Sequence, residues 1–134
     1  MRRNLIVLIL ALLPFCLFAQ DRTLRVDYVF TGTDKEQQIA LDEMSCFDGW
    51  AGRTVNMDKV PVRGNGQICL TDIASGKVIY RQAFSTLFQE WQTTEEATKV
   101  RKAFENVFLL PMPAEKAVVR IELYDFFGSV YASL

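Results

Sequence analysis

The residues best suited to binding chemistry lie in a long connection at 45–64. Trp50 offers an aromatic face on which a sugar or peptide group can stack, and Arg53 offers a planar guanidinium that can hold a carboxylate or sulfate. A connection of this length inside a compact domain is either functional or packed by its own side chains. We predict that Trp50 anchors the connection to the core. We keep Trp50 and Arg53 as the candidate binding residues.

Catalytic chemistry is limited by a missing residue type, because the sequence contains no histidine. This excludes histidine-dependent serine or cysteine catalysis and every histidine-ligated zinc site. A pair of carboxylates could still hydrolyse a glycoside, but the candidates stand among polar residues and are interpreted as solvated charges. These candidates are Asp42, Glu43, Asp48 and Asp58. We therefore predict that this chain is not an enzyme and has no catalytic residue, no metal ligand and no cofactor.

Two cysteines, Cys46 and Cys69, follow the first twenty residues. A disulfide needs Cα atoms within about 7 Å of each other, which the sequence does not determine, so the pairing stays open. Cys69 lies inside an apolar strand pattern, and small thiols are commonly buried. We predict two buried free thiols, with a disulfide as the alternative.

The N-terminus has the pattern of a signal peptide. Arg2 and Arg3 precede a nearly unbroken apolar run at 5–19, which is shorter than the twenty or so residues that span a bilayer. We predict cleavage after Ala19 and an exported chain at 20–134, periplasmic, on the cell surface or secreted. Lipidation at Cys16 and a permanent membrane anchor are the alternatives, and we expect no stable anchor.

The charge and length of the exported part limit which partners it can bind and how many domains it can form. Without Arg2 and Arg3 it has 13 basic and 16 acidic residues, a net charge of -3. No run of lysine or arginine is present to neutralise phosphates, so we expect no nucleic-acid partner. About 115 residues make one ordinary domain.

Most of the chain alternates apolar and polar residues with the period of a β-strand. In the first such segment Leu24, Val26, Tyr28 and Phe30 point to one face. The segments with this character are 23–31, 38–44, a hairpin at 67–83, 106–110, 117–125 and 129–134. The last one ends in mid-pattern, so we expect a domain that is truncated at its final strand. The pattern predicts an all-β antiparallel sandwich with a short helical insertion, and an α+β sheet is the alternative.

The helical insertion begins where the period changes from two to nearly four. Phe84, Leu87, Phe88 and Trp91 have the i, i+3, i+4, i+7 spacing of one helix face. A large apolar stripe of this kind usually packs into a core. The alternative is that it lines a groove for a peptide or sugar.

Two capping boxes mark helix starts in the same stretch. Thr86 with Gln89, and Thr93 with Glu96, have the spacing in which the threonine hydroxyl accepts from the N3 amide. The second box predicts a helix at 94–103, with acidic residues in its first turn and basic residues in its last.

Several short segments resemble the N-terminal domain of the secreted bacterial IgA-type zinc metallopeptidases. The similarity covers nearly all of the exported chain and is most specific at 84–91. Its segments are Leu24-Arg25-Val26-Asp27-Tyr28, Trp50-Ala51-Gly52-Arg53, Gly66-Gln67-Ile68, Tyr80-Arg81, Phe84-Ser85-Thr86-Leu87-Phe88-Gln89-Glu90-Trp91, Thr94-Glu95-Glu96-Ala97, Phe104-Glu105-Asn106 and Leu110-Pro111-Met112-Pro113.

The resemblance implies a β-sandwich accessory domain that precedes a zinc peptidase domain. In that family an H-E-x-x-H helix of the following domain binds zinc and activates water, and this chain contains no such motif. The expected function is a non-catalytic domain that assists substrate or surface binding, with a downstream catalytic domain and a protein or glycan ligand as partners. The alternative is a free-standing exported module that binds carbohydrate or protein.

Overall fold

The structure is a computed structural model that describes residues 22–60, 63–125 and 127–134. The predicted signal peptide at 1–19 and the alternative lipidation at Cys16 lie outside the described residues. The described chain contains two antiparallel sheets that pack face to face. The predicted all-β sandwich is therefore confirmed over the α+β alternative.

One sheet has three strands in the order β2-β1-β5 and the other has four in the order β4-β3-β6-β7. The strands of the first are β1 (Arg22–Gly32), β2 (Gln37–Asp48) and β5 (Lys102–Pro111). The strands of the second are β3 (Gly66–Asp72), β4 (Val78–Phe84), β6 (Ala117–Tyr124) and β7 (Val130–Ser133). The predicted hairpin at 67–83 is confirmed as β3 and β4, with Gly76 at a φ of +68° in the turn between them.

The core lies between the two sheets and follows the alternation predicted for β1. Leu24, Val26, Tyr28 and Phe30 are all buried, because successive strand residues point to opposite faces and one face meets the other sheet. The ring of Tyr28 stacks on that of Phe108 with centroids 4.8 Å apart. Burial raises the pKa of the Tyr28 phenol, as expected for a group whose charged form would lose its hydration.

The helical insertion crosses from the four-stranded sheet to the three-stranded one. It consists of a single turn of helix, α1 (Leu87–Trp91), and a 3-10 helix (Glu96–Thr98). Phe88 and Trp91 are buried, whereas Leu87 is 68% exposed. The predicted core role of the apolar stripe is thus confirmed for Phe88 and Trp91 and wrong for Leu87. The ring of Phe88 lies 5.7 Å from that of Phe104, and this pair closes one end of the core.

The predicted helix at 94–103 is wrong. Only Glu96–Thr98 is helical, and β5 already begins at Lys102. The physical reason is tertiary: residues from 102 onward pair with β1, where Phe104 lies opposite Phe30. Backbone pairing and burial on a sheet outweigh the few tenths of a kcal/mol per residue that separate helix propensities. β2 also extends to Asp48, beyond the predicted end at 44, so the long connection begins at 49.

The two capping boxes behave differently. The Thr86 hydroxyl accepts from the Gln89 backbone N–H at 3.1 Å, so this helix start is confirmed. The Gln89 side chain does not return to the Thr86 N–H, which donates instead to Asn65 Oδ1 at 3.1 Å. Thr93 starts no helix, and its hydroxyl donates to the Glu90 carbonyl.

We expect Thr86→Ala to lower the free energy of unfolding by about 1–2 kcal/mol, because the mutation leaves a helix N–H of a buried cap without its acceptor. Thr93→Ala is the matched control and should change it by less than about 0.5 kcal/mol, since Thr93 is exposed. Urea unfolding of the full chain measures both. Equal losses in the two variants would contradict the assignment of the cap.

Both cysteines are free, as predicted. Cys46 lies on β2 and Cys69 lies on β3. The predicted burial is wrong for Cys46, which is exposed. β2 is the outermost strand of its sheet, and its residues from Ala40 onward are exposed. Cys69 is partly buried, and its sulfur lies 3.5 Å from the Thr71 hydroxyl.

Candidate binding groove

The connection after β2 is packed by its own side chains. The indole Nε1–H of Trp50 donates to the Arg53 carbonyl at 3.2 Å, and the ring meets that of Tyr80 edge to face at 5.6 Å. Tyr80 is a core residue of β4. Trp50 therefore packs against the core, as predicted, while part of its ring stays accessible.

Arg53 is turned into the protein. Its Nη1 donates to the Lys59 carbonyl at 2.9 Å, and its Nη2 donates to the carbonyls of Met57 and Arg81. The guanidinium carbon also lies 5.2 Å from the ring centre of Tyr80, within cation–π range. The planar fork is thus bound to backbone carbonyls and is not presented to a carboxylate. The arginine holds the connection on β4.

The backbone of the connection also covers part of the β4 edge. The Arg81 N–H donates to the Met57 carbonyl at 2.7 Å. This bond satisfies an edge group that would otherwise be exposed to solvent or to another chain.

A groove of about 770 Å³ opens between the β4 and β5 edges of the sandwich. Phe47 and Trp50 form one wall, Tyr80 and Gln82 of β4 form another, and residues 107–109 of β5 form the third. Phe47, Val107 and Leu109 are each 46% exposed. Its volume is within the range of ligand sites, and the wall composition is apolar with a few polar groups, as such sites usually are.

The groove runs along an unpaired strand edge. Residues 107–109 are consecutive, so their side chains point to alternate faces and the backbone between them borders the groove. In the described part of the chain β5 pairs with β1 alone. The other edge of β5 therefore offers N–H and C=O groups to an extended peptide, a recurring mode of recognition.

Sequence reasoning placed Trp50 at this site and missed the residues of the facing strands. Arg53 does not line the groove. The signal for Val107 and Leu109 is the unbroken apolar run at 107–110. A strand that is apolar on both faces is either covered on both sides or exposes one apolar face, and here Val107 and Leu109 lie on the exposed one.

The carboxylates considered for catalysis are dispersed. Asp42, Glu43, Asp48 and Asp58 are exposed, and Asp48 forms an ion pair with Arg22 at 3.2 Å. Solvated charges, the interpretation made from the sequence, agree with this exposure.

The carboxylates with a perturbed pKa lie outside the groove. A hydrogen bond from Arg25 lowers the pKa of Asp27, and hydrogen bonds from Lys102 and then Trp91 lower the pKa of Glu96. These are local structural contacts of single carboxylates.

Within 22–60, 63–125 and 127–134, no three histidine, cysteine, aspartate or glutamate side chains are grouped so that they could hold a metal ion. In the same residues, no helix has the length and apolar character needed to cross a membrane.

These features define an antiparallel β-sandwich domain with an apolar groove between two of its sheet edges. The family model described as Peptidase M64 N-terminus matches residues 14–134. The chain belongs to this family and is an N-terminal domain of a peptidase-family protein. No curated protein matches the chain.

Proposed function

We propose that this chain is the non-catalytic accessory domain of a secreted IgA-type zinc metallopeptidase. In this proposal the zinc and its H-E-x-x-H helix belong to a downstream catalytic domain, and the present domain holds the substrate or a surface ligand. Membership of the M64 N-terminal family supports the proposal. The lack of histidine in the sequence supports it further, since the zinc motif of that type requires two.

The observation that carries the binding role is the groove beside Trp50. Its walls place the accessible part of an indole ring next to Val107 and Leu109, along the free edge of β5. An extended polypeptide can pair its backbone with that edge and bury its side chains on these residues. A protein ligand is therefore the first choice, and a peptidase substrate fits that description.

The alternative is a free-standing exported module that binds carbohydrate. It is favoured by the polar groups of the groove, because Asp48 and Gln82 line it together with Trp50. An aromatic face with carboxylate and amide groups nearby suits a sugar ring with its apolar face and hydroxyl edge. A glycan array separates the two ligand classes.

The groove is tested with a pair of matched variants. Val107→Ser should weaken binding of immunoglobulin A to the full chain by about fivefold to tenfold, because it removes apolar contact area worth about 1 kcal/mol. Val118→Ser is the control, since Val118 is 48% exposed on β6 and does not line the groove. Surface plasmon resonance measures both, and equal affinities for the two variants would contradict the groove as the binding site.

Hydrolysis separates the accessory role from an enzymatic one. We expect the purified chain to leave immunoglobulin A uncleaved. Cleavage that persists when a chelator is present would overturn the non-catalytic proposal, because it would show chemistry that needs no metal.

A further inference from the structure

A second cleft lies on the other side of β4, at one end of the four-stranded sheet. Its volume is about 540 Å³, and its walls are largely polar. The side chains that matter are Arg63 before β3, Gln67 on β3, Arg81 on β4, and Tyr124 and Asp125 at the end of β6. Residues from the connection and from three strands therefore converge on one cleft.

The two arginines of this cleft have no acidic partner in the described part of the chain. The other described arginines are all engaged: Arg53 binds carbonyls, and Arg22, Arg25, Arg101 and Arg120 form ion pairs. Arg63 and Arg81 form neither an ion pair nor a side-chain hydrogen bond there. The Nε of Arg81 is also buried without a partner. A buried donor left unsatisfied is costly and points to a bound water or ion.

The charges of both arginines act on the Tyr124 phenol. Burial raises the pKa of Tyr124 to about 12, assisted by its hydrogen bond to Glu122 at 2.8 Å. The positive charges of Arg81 and Arg63 act in the opposite direction on this pKa. Both guanidinium groups are therefore close enough to act on one phenol.

Two carboxylates near the cleft, Asp125 and Glu122, are already engaged. Asp125 Oδ1 accepts from the backbone N–H groups of Phe127 at 2.9 Å and Ser129 at 2.8 Å. Glu122 accepts from Tyr124 and lies 3.8 Å from Arg120. Neither carboxylate pairs with Arg63 or Arg81, so the two guanidinium donors remain free for a ligand.

We propose that this cleft binds a tetrahedral oxyanion, sulfate or phosphate, either as the free ion or as an ester on a larger molecule. Two guanidinium charges match a dianion, and guanidinium forks donate paired hydrogen bonds to sulfate or phosphate oxygens. Gln67 adds an amide donor from β3, the strand next to β4. A planar carboxylate can be bound by one guanidinium group, so it would leave the second arginine without a ligand. The proposal concerns a different site from the groove and stands independently of it.

The test is a titration of the full chain with sodium sulfate and then sodium phosphate at constant ionic strength, followed by the backbone ¹⁵N NMR signals of Gly66 and Gln67, which line the cleft. We expect a saturable shift. Arg63→Gln and Arg81→Gln should each weaken binding by at least about tenfold, the loss of one charged hydrogen-bond pair. Arg101→Gln should leave it unchanged, since Arg101 is paired with Glu36 at 2.8 Å and lies outside the cleft.

Three results would overturn the proposal: shifts that never saturate, equal losses in the Arg101→Gln control, or saturation by acetate but not by sulfate. Circular dichroism checks that the variants are folded, and Arg63 is exposed, so its replacement is not expected to disturb the sheet. Dextran sulfate separates the sources. If the chain binds dextran sulfate more tightly than free sulfate, and both cleft variants lose this binding, the ligand is a sulfated polymer. If the affinity per sulfate group is equal, the ligand is the free ion.

Discussion

Phe88→Ala is expected to lower the free energy of unfolding by about 3–5 kcal/mol, the cost of emptying a fully buried aromatic site. Phe88 is 0% exposed. Its ring lies 6.3 Å from that of Phe30, 5.8 Å from that of Trp91 and 5.7 Å from that of Phe104. It therefore joins β1, α1 and β5 at the end of the core. A domain of this size has about 5–15 kcal/mol of stability in total, so the loss is a substantial part of it.

Leu87→Ala is the matched control for this prediction. Leu87 is the neighbouring residue of α1 but is 68% exposed. Its replacement should cost less than about 0.5 kcal/mol, as is usual for surface substitutions. Urea denaturation of the full chain, followed by tryptophan fluorescence, measures both variants. A small loss for Phe88→Ala would mean that α1 does not close the core.

Arg53→Gln is expected to lower the free energy of unfolding by about 2–4 kcal/mol. The guanidinium donates to three backbone carbonyls, those of Met57, Lys59 and Arg81, and hydrogen bonds from a charged group are worth about 1.5–3 kcal/mol each. The three do not simply add, because they share one side chain and because the buried Nε of Arg53 lacks a partner. The connection at 49–60 should then detach from β4 and become sensitive to proteases.

Arg63→Gln is the control with the same loss of charge, because Arg63 is exposed and bonds to no described residue. We expect its stability to equal that of the wild type within about 0.5 kcal/mol. Limited proteolysis and urea unfolding are the measurements. If Arg53→Gln proved as stable as Arg63→Gln, then Arg53 would not hold the connection, and the ligand-binding role predicted from its residue type would regain support.

Short sequence patterns predicted the strands, turns and helix start whose local conformational preference agrees with their place in the tertiary structure. The alternation of Leu24, Val26, Tyr28 and Phe30 identified the buried face of β1, and the turn residues around Gly76 identified the β3–β4 hairpin. The spacing of Thr86 and Gln89 identified a helix start. In each case the partners lie within a few residues or on one strand face, so a short stretch of sequence contains the information.

The helix predicted at 94–103 shows where such reasoning fails. Its charges favour a helix locally, but Phe104 pairs with Phe30, more than seventy positions earlier in the chain. Only the tertiary structure brings these two residues together. The acceptors of Arg53 are likewise set by the tertiary structure, since they are carbonyls of the connection and of β4.

By itself, the sequence determined the class of this domain: period-two strands with turns between them, a short helical insertion and no histidine for zinc or acid–base chemistry. Only the tertiary structure decided which residues lie together in the two candidate sites. The groove unites Trp50 with Val107 and Leu109, and the polar cleft unites Arg63 with Arg81 and Tyr124. The residues of each site are distant in sequence, and the pairing of β1 with β5 and of β3 with β4 and β6 sets their spacing. The apolar–polar periodicity of a short segment does not predict this spacing, because the order of strands in a sheet is decided by long-range backbone pairing and burial.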